Sequence, residues 1–190
     1  MSGNLGNAAW FLIHSIFGIC ILVVMLRFLL QLVGADPFNP LSKMVLALSN
    51  PVLNPVRNIV PRWRNFDLAS MGLVFILQCS ERGLFSFFFQ QQWSIVAIPI
   101  RAIASLLELG LFIFIISIFA QVILSWVAPG RHNSMTNVMN RINEPLLGRA
   151  RRLIPPVAGI DLSPLVVLIG LQLVISYLLV PELLALASAI

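Results

Sequence analysis

The sequence predicts an all-α membrane protein whose four transmembrane helices form two parallel tandem repeats, each with amphipathic interfacial helices between its two spans. Three observations predict it. Hydrophobic residues fill 59% of the 190 positions and charged residues only 10%, with a mean hydropathy of +0.96, whereas a soluble domain is about one quarter charged. The apolar residues fall in long runs, and about 20 of them in a helix cross the hydrocarbon core. Sliding the chain by 94 positions superposes its halves without a gap, placing Asn39 on Asn133, Pro51 on Pro145, Leu53 on Leu147, Arg57 on Arg151, Pro61 on Pro155, Asp67 on Asp161 and Gln78 on Gln172. Shared hydrophobicity does not align prolines, an arginine, an aspartate and a glutamine together.

The first repeat occupies residues 1–93, with spans at about 8–33 and 68–89 around surface helices at about 40–60. The second occupies residues 94–190, with spans at about 99–127 and 162–180 around surface helices at about 134–154. Each span is a helix because only a helix satisfies its own backbone in lipid. No lysine or arginine precedes Arg27, so the first run lacks the charged start of a signal peptide and is expected to remain in the mature protein.

Leu41, Met44, Val45 and Leu48 recur at helical spacing, as do Met135, Val138, Met139 and Ile142 after the shift, which predicts helices lying on the bilayer with one apolar face. Asn50 and Asn54 are expected to cap turns that start at Pro51 and Pro55, and Pro61 to stop the helix carrying Arg57. The expected result is a rigid corner on the headgroups, with a partner-docking or ligand site as the alternative. Asp67 and Asp161 stand just before the second and fourth spans, where free N–H groups need an acceptor, and are read as N-caps. In the second span Glu81 and Arg82 are expected near the far headgroups, ahead of an aromatic belt of Phe85, Phe87, Phe88, Phe89 and Trp93. Gln90 to Gln92 mark a turn, and Pro99 suits the first turn of the third span.

A net charge of +5 and a pI of about 10.6 raise nucleic acid as a partner, but placement argues against it. Nine of the twelve basic residues lie beside apolar runs: Lys43, Arg57, Arg62 and Arg64, then Arg131, Arg141, Arg149, Arg151 and Arg152. Anionic lipid headgroups are their nearest countercharge. The repeat loops hold four and five basic residues, the connection between repeats two and the tails none, so both loops are expected in the cytoplasm and both termini outside. The copies then run parallel, unlike the inverted pairs of many transporters.

Several polar residues fall inside the spans. Arg27 lies about 10 Å from the cytoplasmic end of the first span by helical rise, with Gln31 one turn on, and their shifted counterparts are Gln121 and Ser125. Arg27 is expected to snorkel to the interface or to pair with Asp36 or Asp67. Gln78 and Gln172 lie roughly 16 Å past the capping aspartates, where the two amides are expected to bond across the repeat interface. A polar lining for water or an ion is the sharper alternative. His14 and Glu108, also 94 apart, are a second polar layer nearer the outside. Cys20 and Cys79 read as small apolar residues, without metal-ligand spacing. No metalloprotease, nucleophile-elbow or phosphate-loop motif is present, so neither a cofactor nor an enzymatic activity is expected.

An arginine near the end of the first span, then Asn-Pro-x-Leu-x-Pro-x-Arg-x-x-x-Pro, then Asp-Leu opening the next span resembles the YggT family, also called YlmG. Arg27, Asn39, Pro40, Asn50, Pro51, Pro55, Arg57, Pro61, Asp67 and Leu68 carry the resemblance in the first half, and Pro145, Leu147, Arg151, Arg152, Pro155, Asp161 and Leu162 in the second. The second copy departs with Gln121 for the arginine, Glu144 for Asn50 and Arg149 for Pro55. The resemblance implies a small bacterial inner-membrane or thylakoid-type protein, with relatives connected to envelope and division organisation, osmotic adaptation and plastid cytochrome maturation, and no established catalytic activity.

Two functions follow as expectations. The first is a membrane scaffold or assembly factor that presents Arg-rich surface helices to anionic lipid and to other membrane proteins. The second is a small channel or transporter subunit lined by Arg27, Gln78, Glu108, Gln121 and Gln172, expected as a homo-oligomer because four helices enclose little lumen.

Overall fold

A computed structural model of the chain describes residues 2–58, 67–90, 93–127, 133–154 and 161–189, with side chains from residue 6. These residues are helical apart from short connections: α1 Ser2–Leu32, α2 Pro40–Arg57, α3 Leu68–Phe88, α4 Ala97–Val127, α5 Ser134–Leu153 and α6 Ser163–Leu173, then a π-helical turn Val174–Leu178 leading into α7 Leu179–Ala189. Four stretches among them are long and apolar enough to cross a membrane: Gly6–Leu32, Leu68–Phe88, Ala97–Val127 and Ser163–Ala189.

The fourth span is longer than its sequence predicts. The fourth span is expected to end at about position 180, yet the helix runs on through Pro181 to Ala189. A proline inside a helix deprives the carbonyl four residues earlier of its donor. Here the chain has already shifted to five-residue bonding, with the N–H of Leu179 donating to the carbonyl of Val174. Such π turns interrupt helices without ending them.

α1 ends in a Schellman motif. Gly34 adopts a left-handed φ of 63°, the N–H of Ala35 donates to the carbonyl of Leu30 at 2.9 Å, and that of Gly34 to Gln31 at 3.1 Å, which satisfies carbonyls the helix end would strand. Asn39 then caps α2, its side chain accepting from the N–H of Leu41. Asn133, its counterpart in the 94-residue shift, caps α5 through a capping box with Thr136.

α2 is one uninterrupted helix through Pro51 and Pro55, which corrects the expectation of separate turns capped by Asn50 and Asn54. The side chain of Ser49 donates to the carbonyls of Val45 and Leu46, at 2.7 and 3.1 Å, and so supports the turn that precedes Pro51. α5 likewise continues through Pro145. Pro61 and Pro155 lie outside the described residues.

α1 packs on α3, α3 on α4, and α4 on α6 and α7; α2 rests on α1 and α3, α5 on α4 and α6, and α2 touches α5. In lipid such packing rests on close contact and polar bonds rather than on a hydrophobic drive. α4 accordingly buries Ala97, Ala102, Ala104, Gly110 and Ser117. A methyl on Gly110 would come within 2.9 Å of the terminal methyl of Met25, so glycine here leaves room for that side chain between α1 and α4. One apolar cluster joins Ile21, Val24 and Leu53 to Leu73 and Val74, another joins Leu30 and Val45 to Val138 and Ile142, and a third joins Ile118, Leu147 and Leu171.

The apolar stripes of the surface helices are divided. Val45 and Leu53 turn into the bundle while Met44 and Leu48 stay exposed, and in α5 Val138, Ile142 and Leu147 turn inward while Met135 and Leu153 stay exposed. Each helix thus has a protein-facing edge as well as an apolar outer edge. The expected aromatic belt is partly internal too: Trp10 packs edge-on against Phe85 and Phe89, and Phe85 stacks on Trp93, which ties α1, α3 and the start of α4 together.

Candidate functional site

The described residues hold two polar assemblies, one where α2 and α5 meet the spans and one between the spans. At the first, Arg27 is buried, only 3% exposed. Its guanidinium donates to the side chains of Ser49 and Asn50, both at 2.7 Å, and to the carbonyl of Leu46 at 3.4 Å. The charge turns inward and fastens α2 to α1. In the other half the shifted positions meet again, the side chain of Asn143 donating to Gln121 at 2.6 Å. A neutral amide pair stands where the first half has a cation. Ser49 and Asn143 escape the sequence reading, although each is a polar residue on a buried helical edge and the two are 94 apart.

Arg57 pairs with Asp67, and Arg151 with Asp161 at 2.9 Å. These pairs are again equivalent under the shift, and each ties the end of a surface helix to the start of a span. Asp67 caps α3 as expected, accepting from the N–H of Ser70. Asp161 accepts from the N–H of Ser163 at 2.9 Å but stands one residue before the cap position, which Leu162 occupies. Burial by itself would raise both carboxyls. For Asp67 the bonds from Ser70 and Arg57, with the charge of Arg57, outweigh it and leave the carboxyl below its ordinary value. For Asp161 the bonds from Arg151 and Ser163 do the same.

α2 and α5 are also joined at their starts, where the side chain of Asn39 donates to the carbonyl of Ser134 at 2.7 Å. Around this junction Lys43, Arg141, Arg149, Arg151 and Arg152 are exposed, against the acids Asp36, Glu144 and Asp161. Pro51, Pro55 and Pro145 are exposed on the same helices.

The second assembly is a groove of about 540 Å³ whose lining includes His14 on α1, Gln78, Glu81 and Arg82 on α3, Ser105 and Glu108 on α4, and Gln172 on α6. His14 donates to Glu81 at 2.6 Å, Gln78 donates to Glu81, and Arg82 donates to Ser105. Glu81 is buried inside the bundle, where two donors, His14 and Gln78, replace the water its carboxylate would otherwise seek. Gln172 donates to Ser176 instead of meeting Gln78, so the expected amide bridge is absent. Of the five residues proposed to line a conduit, Gln78, Glu108 and Gln172 share this groove, while Arg27 and Gln121 are committed to α2 and α5. No three His, Cys, Asp or Glu side chains among the described residues converge to hold a metal.

Four apolar spans and a polar platform at one end of them define a multi-pass helical membrane protein. The chain belongs to the CCB3/YggT family, whose model matches it twice, at residues 6–88 and 100–181. It is 38% identical over 181 residues to an uncharacterised protein of Pseudomonas aeruginosa, covering 90% of this chain and 88% of that one. It is 36% identical to an uncharacterised protein of Vibrio alginolyticus, over 87% of this chain and 90% of the relative, and 31% identical to the uncharacterised protein YggT of Escherichia coli K12, over 88% and 87%. No solved structure matches.

Proposed function

We propose that this protein is a non-enzymatic scaffold or assembly factor of the bacterial inner membrane, engaging anionic lipid and protein partners through a cytoplasmic platform formed by α2 and α5. One observation carries the reading: the two surface helices meet each other, Asn39 to Ser134, and turn exposed cations outward around the junction. The proposed architecture is two parallel copies of a hairpin, supported by the double family match and by the recurrence of two polar pairs under one shift, 57–67 with 151–161 and 27–49 with 121–143. The basic loops favour the cytoplasmic side by the positive-inside rule. Arg57 serves this platform as a fastening rather than as a lipid contact, since its charge is already taken by Asp67.

The test is the lipid that copurifies. Mild extraction is expected to yield protein enriched in phosphatidylglycerol and cardiolipin over bulk membrane. The enrichment should fall with salt and with conversion of Lys43, Arg141, Arg149 and Arg152 together to glutamine, because interfacial cations each contribute about 1 kcal/mol toward anionic lipid. Crosslinks to neighbouring membrane proteins should diminish in the same variant. Unchanged lipid and unchanged crosslinks would refute the reading.

A second reading, a small channel or transporter subunit, is favoured by the groove that carries Gln78, Glu108 and Gln172. Reconstituted vesicles separate the two. The scaffold predicts no conductance or solute uptake at rest or under osmotic stress, and flux abolished by Glu108→Leu would establish the second reading.

A further inference from the structure

We infer that α5 carries a discrete site for the phosphate of one anionic phospholipid headgroup, and that α2 carries none. The inference rests on the proposed platform and locates its lipid contact. Arg141, Arg149 and Arg152 border a hollow of about 480 Å³ on the exposed side of α5, completed by Glu144, Pro145, Gly148 and Val33. Spacings of eight and eleven residues set the three arginines along one helical edge. None of the three has a hydrogen bond or ion pair among the described residues, whereas their neighbour Arg151 is held by Asp161 and lies 3.6 Å from Glu144.

Gly148 lines the hollow beside Glu144. A methyl there would come within 2.8 Å of the Glu144 carboxylate, so glycine lets that side chain fold back along the helix toward Arg151. The one acid in the lining is thereby drawn to a cation outside it. Three unpaired guanidiniums around a recess suit a phosphate diester, because each fork presents parallel donors to phosphate oxygens.

A lipid is favoured over free phosphate by position. Leu153, one turn beyond Arg149, is 82% exposed, and Val33 lies at the end of the first span, so apolar surface for an acyl chain adjoins the charges as in other interfacial helices. The first half lacks every element of the site. Ala47, Pro55 and Asn58 stand where α5 has Arg141, Arg149 and Arg152, and Asn54 stands where it has Gly148.

Native mass spectrometry of the full-length protein in detergent tests this, with phosphatidylglycerol, phosphatidylcholine and inorganic phosphate as separate probes. Wild type should retain one phosphatidylglycerol in preference to phosphatidylcholine. Arg149→Gln, and Gly148→Leu with all charges intact, should each weaken retention at least about tenfold, the loss of one charge-assisted contact. Lys43→Gln, on α2, should weaken it far less than Arg149→Gln, since it removes one platform charge and no part of the site, and thermal melts confirm that each variant is folded. A preference for phosphatidylglycerol lowered equally by Lys43→Gln and Arg149→Gln, and untouched by Gly148→Leu, would overturn the discrete site while leaving the basic platform standing. No preference in wild type would overturn both. Inorganic phosphate displacing the lipid at equal concentration would overturn the assignment to a lipid headgroup.

Discussion

The pairs Arg57–Asp67 and Arg151–Asp161 occupy equivalent positions, yet they should differ widely in what they contribute to stability. Side-chain exposure is 19% and 0% for the first pair and 41% and 38% for the second. Removing one partner of a buried pair leaves an uncompensated charge and costs about 3–5 kcal/mol. Asp67 keeps its bonds from Ser70, which places Arg57→Gln at the lower end of that range, about 3 kcal/mol. An exposed pair contributes about 0–1 kcal/mol, so Arg151→Gln should cost no more than that. The assay is unfolding in detergent followed through the reactivity of Cys20 and Cys79, both free and partly buried, with Asp67→Asn and the double variant Arg57→Gln/Asp67→Asn closing a cycle. The double variant should be more stable than Arg57→Gln alone, because neutralising Asp67 removes the stranded charge. Equal costs for Arg57→Gln and Arg151→Gln, or a double variant less stable than both singles, would refute the assignment of Arg57 to a buried fastening.

Acid should loosen the same fastenings. The carboxyls of Asp67 and Asp161 are depressed in the folded protein, so their contribution is complete above the unfolded value of about 3.9 and is lost as pH falls through the folded values; melts should be flat in this respect from neutral pH to about 4 and should drop below it, less steeply in Asp67→Asn. Arg27→Gln should destabilise the α1–α2 contact, and adding Ser49→Asn should restore part of the loss by recreating the amide pair of Gln121 and Asn143, as a melt series would show. Glu81→Leu should destabilise by about 1–3 kcal/mol through its stranded donors, measured by the same cysteine reactivity. Gly110→Leu should lower stability by overpacking against Met25, and Met25→Ala should relieve it, both read in thermal melts.

The spans were legible because lipid imposes a length and a composition that few soluble segments meet, and the starts of the surface helices near positions 40 and 134 because the apolar spacing begins there, although their caps Asn39 and Asn133 were not read. Pro51 and Pro55 misled in one direction. A proline removes one local bond, but that does not end a helix held by its packing on neighbours, as α2 is held on α1 and α3. The partners of Arg27 and Glu81 were not readable for a different reason, since most come from other helices: Ser49 and Asn50 on α2 for Arg27, and His14 on α1, beside Gln78 of the same helix, for Glu81. Of the platform, the basic residues were readable one by one. What was not readable is which are already paired, since Arg57 and Arg151 meet aspartates ten positions along the chain while Arg141, Arg149 and Arg152 do not.

The decisive measurement is sided labelling of single cysteines. In a background with Cys20→Ala and Cys79→Ala, Asn54→Cys on α2 and Asn140→Cys on α5 are both exposed positions. The proposed platform predicts that an impermeant thiol reagent leaves both unmodified in intact cells and modifies both in inverted vesicles. Modification of one from each side would place the two basic helices on opposite faces of the bilayer and contradict the platform.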